Sequence, residues 1–205
     1  MKENRILRAE ALKSLEGKWG NAVVIALVYF VIAGCFSGVN QFFPGASLTS
    51  LLVTPVLGYG IAVVFLKHLR SEPIETGILF TGFNNFNIYG KILGTMLLMG
   101  LFTILWMLLL IVPGLIKSYS YAMTPYILYD DPTVGANEAI EKSMAMMDGH
   151  KAKLFLLDLS FIGWLLLSIL TLGIGLLWLI PYMQTARAAF YEEVRDAAAT
   201  GNEAA

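Results

Sequence analysis

The segment 154–190 constrains the fold of this chain more than any other part of the sequence. It is almost entirely apolar and contains only two charged residues, Asp158 and Arg187. One helix that crosses a bilayer needs about 20 apolar residues, so this segment is too long for one crossing and long enough for two. Gly173 and Gly175 lie near its middle, where a chain reversal would fall. We therefore predict a helical hairpin inside a membrane.

The composition of the whole chain agrees with a membrane location. Of its 205 residues, 57% are hydrophobic and only 14% are charged, whereas a soluble domain has about 25% charged residues. The net charge of −1 gives no electrostatic surface for nucleic acid, so we expect no nucleic-acid partner. The single cysteine excludes an intrachain disulfide. The short polar tail 197–205 is predicted to be disordered.

Hydropathy and helix breakers predict an all-α fold, a polytopic helical membrane bundle of about six transmembrane helices in three hairpins. The predicted spans are residues 21–39, 48–66, 92–112, 115–129, 154–172 and 176–190. Uncharged turns are predicted at residues 38–47, at Pro113-Gly114 and at residues 173–175. An alternative treats residues 92–129 as one kinked helix or a re-entrant segment, with the kink at Pro113-Gly114.

The basic residues indicate the orientation of these spans. All lysines and arginines except Lys117, near the outer end of the fourth span, fall on one side of the predicted membrane. The positive-inside bias makes that side cytoplasmic and places both termini there. Gly34-Cys35 also has the form of a bacterial lipoprotein cleavage site. The long acidic segment before it is unlike a signal peptide, so we favour a small-residue packing patch formed by Gly34 and Gly38.

The chain is predicted to repeat one unit three times, over about 1–70, 71–132 and 133–205. Each unit consists of an amphipathic cytoplasmic segment and a two-helix hairpin, and the second helix of each hairpin carries a proline: Pro55, Pro125 or Pro181. A proline inside a helix removes a backbone hydrogen bond and bends the helix. The amphipathic segments 5–19 and 133–149 are expected either to lie on the membrane surface or to cap the inner end of the bundle.

Three motifs in the second half of the chain resemble a known family. They are Ile111-Val112-Pro113-Gly114-Leu115-Ile116-Lys117-Ser118-Tyr119 continuing to Thr124-Pro125-Tyr126, then Glu138-Ala139-Ile140 with Met147-Asp148-Gly149-His150-Lys151, and Ser160-Phe161-Ile162-Gly163-Trp164 with Pro181-Tyr182 and Phe190-Tyr191. Together they resemble the bacterial integral-membrane family named domain of unknown function 975, over nearly the whole chain. The resemblance implies a multi-pass protein of the bacterial inner membrane and supplies no catalytic residue. The pattern is also distantly similar to the membrane part of some glycerophosphodiester phosphodiesterases, although 205 mostly apolar residues leave no room for their catalytic barrel.

The two charges of the opening segment are the main candidate site. A carboxylate within a span costs several kcal/mol unless it is paired or hydrated. We predict that Asp158 and Arg187 pair across the hairpin, with Gln184 nearby. Such a pair is either a structural element that sets the hairpin register, which we favour, or part of a polar pocket for a headgroup or an ion. Tyr119 and Tyr126 share one helix face and either bond between helices or line a ligand cavity.

A second candidate site follows the predicted surface helix. His150, Lys151 and Lys153 are cytoplasmic and could contact lipid headgroups, although basic residues here also serve simply as orientation signals. His68 and His150, the only histidines, give a weak metal signal, so we predict neither a metal site nor a cofactor. No motif of a Ser-His-Asp enzyme, a metalloprotease or a nucleotide-binding protein occurs in the sequence.

We therefore expect a non-enzymatic membrane protein that binds or helps to transport a small or lipid-like molecule. Its partners would be membrane lipids, and it could also form a homo-oligomer or join a larger membrane complex. One alternative is a membrane-embedded enzyme that acts on lipid at the cytoplasmic face through Asp158, His150 and His68. Another is a structural oligomer that packs through glycine-containing helix faces. A polar cavity that reaches Asp158 would favour binding, clustered histidines and acids would favour the enzyme, and a solid bundle would favour the structural role.

Overall fold

Every regular element in the described part of the chain is helical, as the sequence predicts. The structure, a computed structural model, describes residues 2–42, 46–73 and 75–203. The elements are α1 (Asn4–Leu15), α2 (Trp19–Phe42), α3 (Ala46–Leu69), a 3-10 helix (Thr76–Phe83), α4 (Phe86–Leu109), α5 (Ile111–Ser120), α6 (Thr124–Asp130), α7 (Ala136–Met146), α8 (Lys151–Leu159), α9 (Ile162–Leu170) and α10 (Leu176–Glu203).

Four segments of the described chain are long and apolar enough to span a membrane, which is consistent with an integral membrane protein. They are Trp19–Phe36, Leu48–Leu69, Phe86–Leu109 and Lys151–Leu170. The predicted count of six is not confirmed. The predicted span 115–129 is divided between α5 and α6 by a turn at residues 121–123, and the predicted span 176–190 is the apolar first part of the longer α10.

Helix α3 is the centre of the bundle and contacts α2, α4, α6, α10 and the 3-10 helix. Its residues 61–66 are all buried. Inside a bilayer, helices associate through close van der Waals packing rather than through expulsion of water, so small residues at the contacts matter. Gly60 illustrates this, because a Cβ atom there would lie 2.1 Å from the carbonyl oxygen of Leu79 in the 3-10 helix.

The hairpin of α4 and α5 reverses at Leu110, three residues before the predicted turn at Pro113-Gly114. That prediction is therefore corrected. Pro113 lies in the first turn of α5, where a missing N–H costs no helical hydrogen bond. Gly114 is buried against α4, and a Cβ atom there would lie 2.8 Å from the backbone nitrogen of Met107. The proline and glycine thus start α5 and permit its close approach to α4.

The predicted turn near Gly173 joins α9 to α10. Leu172 has a φ of 54° and Gly173 a φ of 86°, both in the left-handed region. The hydroxyl of Thr171 accepts a hydrogen bond from the backbone N–H of Gly175 at 3.0 Å. A Cβ atom at Gly175 would lie 2.8 Å from the hydroxyl oxygen of Ser168, so the two helices approach closely just after the turn.

The two predicted amphipathic helices pack against the bundle. Helix α1 buries an apolar stripe on α10 and α3, and α7 packs on α4 and α6. In α7, the hydroxyl of buried Ser143 donates to the carbonyl of Ser120 at 2.8 Å and accepts from the N–H of Met123 at 3.2 Å. These bonds satisfy backbone groups that the turn between α5 and α6 leaves without helical partners.

Three further predicted features concern the tail, one turn and the helix prolines. Helix α10 continues to Glu203, and the disorder predicted for the tail 197–205 stays a prediction. The described part of the predicted turn 38–47 continues α2 as far as Phe42, and residues 43–45 at its centre lie outside the described residues. Pro125 lies in the first turn of α6 rather than in a helix interior, unlike Pro55 and Pro181.

Candidate functional site

The side chains of Asp158 in α8 and Arg187 in α10 form a two-point ion pair. Arg187 Nε donates to Asp158 Oδ1 at 3.0 Å, and Arg187 Nη2 donates to Asp158 Oδ2 at 2.8 Å. The hydroxyl of Tyr119 in α5 donates to the same Oδ2 at 3.2 Å. The carboxylate therefore ties three helices together. Charge-assisted bonds of this fork geometry are stronger than neutral hydrogen bonds and fix the relative position of both groups.

The two members of this ion pair differ in exposure. The Asp158 side chain is 14% exposed, whereas the Arg187 side chain is 39% exposed. A guanidinium has five N–H groups, and the bonds to Asp158 engage only those on Nε and Nη2. No residue in the described ranges accepts a hydrogen bond from Arg187 Nη1. The partly exposed cation thus keeps donors for another group.

A cavity of about 400 Å³ lies beside the ion pair, between α3, α4, α5, α6, α8 and α10. Asp158, Arg187 and Gln184 all line it, so the structure brings the three residues of the predicted polar pocket together. Apolar or small residues also line it, among them Ala62, Met99, Leu115, Met123 and Leu154. The lining therefore combines a few polar groups with apolar side chains.

Two more polar groups line the same cavity. Tyr126 is 3% exposed and stacks on Tyr191, with ring centroids 5.0 Å apart. Neither the Tyr126 hydroxyl nor the Gln184 amide forms a hydrogen bond with any residue that the structure describes. Polar groups inside a protein ordinarily find a partner. These two groups can therefore hydrogen-bond a molecule in the cavity.

The turn at residues 121–123 positions this wall of the cavity. It places Tyr119 in α5 and Tyr126 in α6, so the two do not share one helix face as predicted, but both tyrosines line the cavity. Pro125 begins α6, because proline suits the first helical turn. The spacing of the two tyrosines predicts that they lie close together, whereas nothing in the hydropathy of this segment predicts the break between α5 and α6.

The structure separates the three candidate headgroup residues. Lys153 points toward α10, where its ammonium lies 2.9 Å from the carboxylate of Glu193 and 5.9 Å from the ring centroid of Phe190. Lys151 lies 3.5 Å from the exposed carboxylate of Asp148. His150 is half-buried directly before α8. Contact of these residues with lipid headgroups remains a prediction, with Lys153 the least accessible to a headgroup.

The two histidines do not join the candidate site. His68 is fully buried near the end of α3, and neither ring nitrogen has a hydrogen-bond partner in the described structure. Asp158 is bonded to Arg187 and Tyr119 rather than to an imidazole. Within the ranges the structure describes, no group of three or more His, Cys, Asp or Glu side chains could hold a metal ion.

An ion-pair network that the sequence does not predict lies where α3, α6 and α10 meet. Arg70 donates from Nη1 and Nη2 to the two carboxylate oxygens of Asp130 at 2.6 and 2.7 Å, and from Nε to Glu192 at 2.7 Å. Asp130 also accepts bonds from Tyr191 at 2.8 Å and Arg195 at 3.3 Å. The only available signal was that all five residues lie just after a predicted span.

These contacts alter the proton affinities of the network. Burial acts to raise the pKa of the Asp130 carboxyl, but the hydrogen bonds from Arg70 and Tyr191 outweigh it, so the pKa lies below its ordinary value of 3.8. Burial, and then the bond to Asp130, raise the pKa of the Tyr191 hydroxyl. Asp130 is therefore ionised and Tyr191 is neutral at physiological pH.

Lys117 lies beside α7 rather than alone at an outer helix end. Its ammonium is 5.2 Å from the ring centroid of Trp106 and 3.8 Å from the sulfur of Met144 in α7.

Comparison with known proteins identifies a family but no activity. The sequence model of a family described as "Protein of unknown function (DUF975)" matches residues 1–117 and 107–198. No curated protein and no solved structure matches the chain. The similarity to the membrane part of glycerophosphodiester phosphodiesterases therefore has no support.

Proposed function

We propose that this chain, which belongs to the DUF975 family of proteins of unknown function, binds a small amphiphilic molecule in the cavity beside the Asp158–Arg187 ion pair. One observation carries the proposal. Unengaged donors on Arg187 and Gln184 line a cavity that is also lined by apolar side chains. Binding sites for small molecules commonly combine mostly apolar walls with a few such polar groups.

The donors favour a hydrogen-bond acceptor as the polar end of the ligand. Arg187 Nη1 carries two N–H groups, and a carboxylate or phosphate oxygen accepts such bonds well. The ion pair has no net charge, and its guanidinium is more exposed (39%) than its carboxylate (14%), so an anionic group would approach it from the Arg187 side. The volume of about 400 Å³ lies near the lower end of the range for ligand pockets. This size favours a single-chain amphiphile over a whole two-chain phospholipid.

The same geometry bears on the alternative functions. A cavity that reaches Asp158 supports binding over a purely structural bundle. The acid–base role for Asp158 has less support, because Arg187 holds the carboxylate and Tyr119 is its other partner. A Cβ atom at Gly34, Gly90 or Gly94 would meet no other atom within 4 Å. These glycines therefore lie on open helix faces, and we keep packing against a second copy or another membrane protein as part of the proposal.

We place the protein in the bacterial inner membrane as a multi-pass protein with both termini in the cytoplasm. Four apolar helices of sufficient length support the membrane location. The orientation depends on the one-sided distribution of lysine and arginine.

Photo-crosslinking tests the binding proposal. The purified chain in mild detergent is irradiated with a twelve-carbon fatty acid that carries a diazirine at the end of its tail, with and without unlabelled laurate. With the carboxylate at Arg187, we expect competable crosslinks to Met99, Leu115 or Met123. The Gln184→Leu variant, which keeps the ion pair, should label about tenfold less at limiting probe, because a hydrogen bond to a charged group contributes about 1.5–3 kcal/mol.

A matched variant controls for loss of an amide elsewhere. Asn137→Leu removes an amide from the exposed face of α7 and should label as the wild type does. Labelling that laurate does not compete, or equal labelling of Gln184→Leu and wild type, would contradict the proposal.

A further inference from the structure

A second recess, an apolar groove, lies between the α1–α2 junction and the α9–α10 hairpin. It has a volume of about 370 Å³ and shares no lining residue with the cavity at the ion pair. Three of the four tryptophans of the chain line it, Trp19, Trp164 and Trp178, together with Leu12 and Tyr182. We call it the tryptophan groove.

The serine and threonine hydroxyls in the lining of the tryptophan groove are already engaged. Ser168 donates to the carbonyl of Trp164 at 2.8 Å, and Thr171 donates to the carbonyl of Ser168 at 2.9 Å. The Thr171 oxygen also accepts from the N–H of Gly175. The groove therefore offers shape and apolar surface, and its occupant must be apolar where it lies in the groove.

The tryptophan groove opens toward the bilayer. Trp164 and Leu167 are 55% and 51% exposed, and they continue into the exposed apolar face of α9 formed by Leu166, Ile169 and Leu170. This face belongs to the candidate span Lys151–Leu170. Hydrocarbon rather than water would meet it, so an acyl chain of a membrane lipid can enter the groove sideways. Helix α9 has nine residues and is about 13 Å long, which suits an extended stretch of acyl chain.

A cation with incomplete hydrogen bonding lies near the lining residue Leu12 of the tryptophan groove. Arg8 is one helical turn before Leu12 in α1, and its Nη1 reaches the carbonyl of Ser160 only at 3.5 Å. Its Nε is buried and has no partner in the described chain. Ser160 precedes Phe161, whose ring packs edge-on against the ring of Tyr182 in the groove, with the two ring centroids 4.9 Å apart. A buried donor on a charged group is costly when unsatisfied, and a phosphate oxygen would satisfy it.

We propose that the tryptophan groove holds one acyl chain of an anionic phospholipid whose phosphate accepts hydrogen bonds from Arg8. The acyl chain lies along α9, and the headgroup lies at the break between α8 and α9. This site is independent of the cavity at Asp158. Lipid there fills the space between α1, α9 and α10 and couples the N-terminal helix to the hairpin.

Tryptophan quenching by brominated lipid tests this site in the full chain. The Trp106→Phe background leaves only the three groove tryptophans as emitters. In nanodiscs of phosphatidylcholine, a small fraction of the lipid is replaced by either dibrominated phosphatidylglycerol or dibrominated phosphatidylcholine. We expect phosphatidylglycerol to quench at about fivefold lower fraction, the preference that one basic contact with anionic lipid provides.

Matched substitutions separate Arg8 from general surface charge. Arg8→Gln should abolish the preference, and Arg8→Lys should keep most of it. Arg5→Gln, which removes the same charge from an exposed position of α1, should leave the preference unchanged. Equal quenching by both lipids in the wild-type site, or an equal loss in Arg5→Gln and Arg8→Gln, overturns the proposal.

Native mass spectrometry provides a test that needs no variant. The wild-type chain, purified from a mixture of the two lipids, should retain one phosphatidylglycerol through mild collisional activation. Retention of neither lipid, or equal retention of both, overturns the proposal as well.

Discussion

Replacing Arg187 with methionine should destabilise the protein more than replacing Asp158 with asparagine. Arg187→Met leaves a carboxylate that is only 14% exposed, with Tyr119 as its remaining partner. Removing one partner of a buried ion pair costs about 3–5 kcal/mol, because the other charge is left uncompensated. Asp158→Asn leaves the Arg187 guanidinium, whose side chain is 39% exposed, and the new asparagine keeps one acceptor oxygen for it. Its cost should be closer to one charged hydrogen bond, about 1.5–3 kcal/mol.

A double-mutant cycle measures the interaction itself. If the two groups stabilise the fold mainly through each other, the double variant should be about 1–3 kcal/mol more stable than the sum of the single effects implies. Unfolding is followed by tryptophan fluorescence during titration of sodium dodecyl sulfate into mixed micelles. Additive effects of the two substitutions, or a larger cost for Asp158→Asn than for Arg187→Met, would refute this reasoning.

An exposed ion pair in the same chain supplies the control. Lys142 and Glu138 lie 3.0 Å apart on α7, with side chains that are 46% and 57% exposed. Water screens such pairs, so they contribute little to stability. The cycle of Lys142→Met and Glu138→Gln should therefore show little coupling. Equal coupling energies in both cycles would mean that burial of the Asp158 pair has no energetic effect.

Three further predictions follow from other parts of the structure. Gly60→Ala should lower the free energy of unfolding by about 1–3 kcal/mol in the same titration, because its Cβ atom would lie against the backbone oxygen of Leu79. Gly100→Ala in α4 is the control: its Cβ atom would meet no atom within 4 Å, so this substitution should be neutral or stabilising. The pKa of Asp130 is lowered from 3.8, so its network stabilises the fold at pH values above 3.8. This stabilisation is lost as the pH falls through the lowered pKa. Between pH about 6 and about 3, the melting temperature should therefore fall less in Asp130→Asn than in the wild type. Green fluorescent protein fused to either terminus should fluoresce in bacteria if both termini are cytoplasmic, and a dark fusion at one terminus would contradict that orientation.

The residues that lie far apart in sequence but together in the cavity could be predicted only in part. Asp158 and Arg187 stood out because a charge in an apolar span needs a partner, and a single hairpin restricts where that partner can lie. Tyr119 belongs to a different hairpin, and no local pattern indicates that its hydroxyl lies 3.2 Å from Asp158. The cavity itself depends on six helices packing incompletely at one place, which is a property of the assembled bundle.

The helix boundaries show a similar division. Gly173 marked its turn correctly, because a glycine adopts a positive φ without steric cost. Pro113-Gly114 suggested a turn but begins and packs α5, since proline is compatible with both roles. The division of the predicted span 115–129 was not visible in its hydropathy, because Ser143 of α7 supplies the hydrogen bonds that make the break possible.

The amino-acid sequence alone is enough to predict an all-helical fold with segments long and apolar enough to span a membrane, and to identify the family. Apolar runs longer than a helix needs to cross a bilayer leave few other folds, because every backbone polar group in hydrocarbon must bond within the chain. The packed bundle adds three features: a cavity beside Asp158 and Arg187, a network that joins Arg70, Asp130 and Arg195, and a tryptophan groove near Arg8. Hydropathy is summed along the chain, whereas cavities and ion pairs depend on how helices distant in sequence pack together.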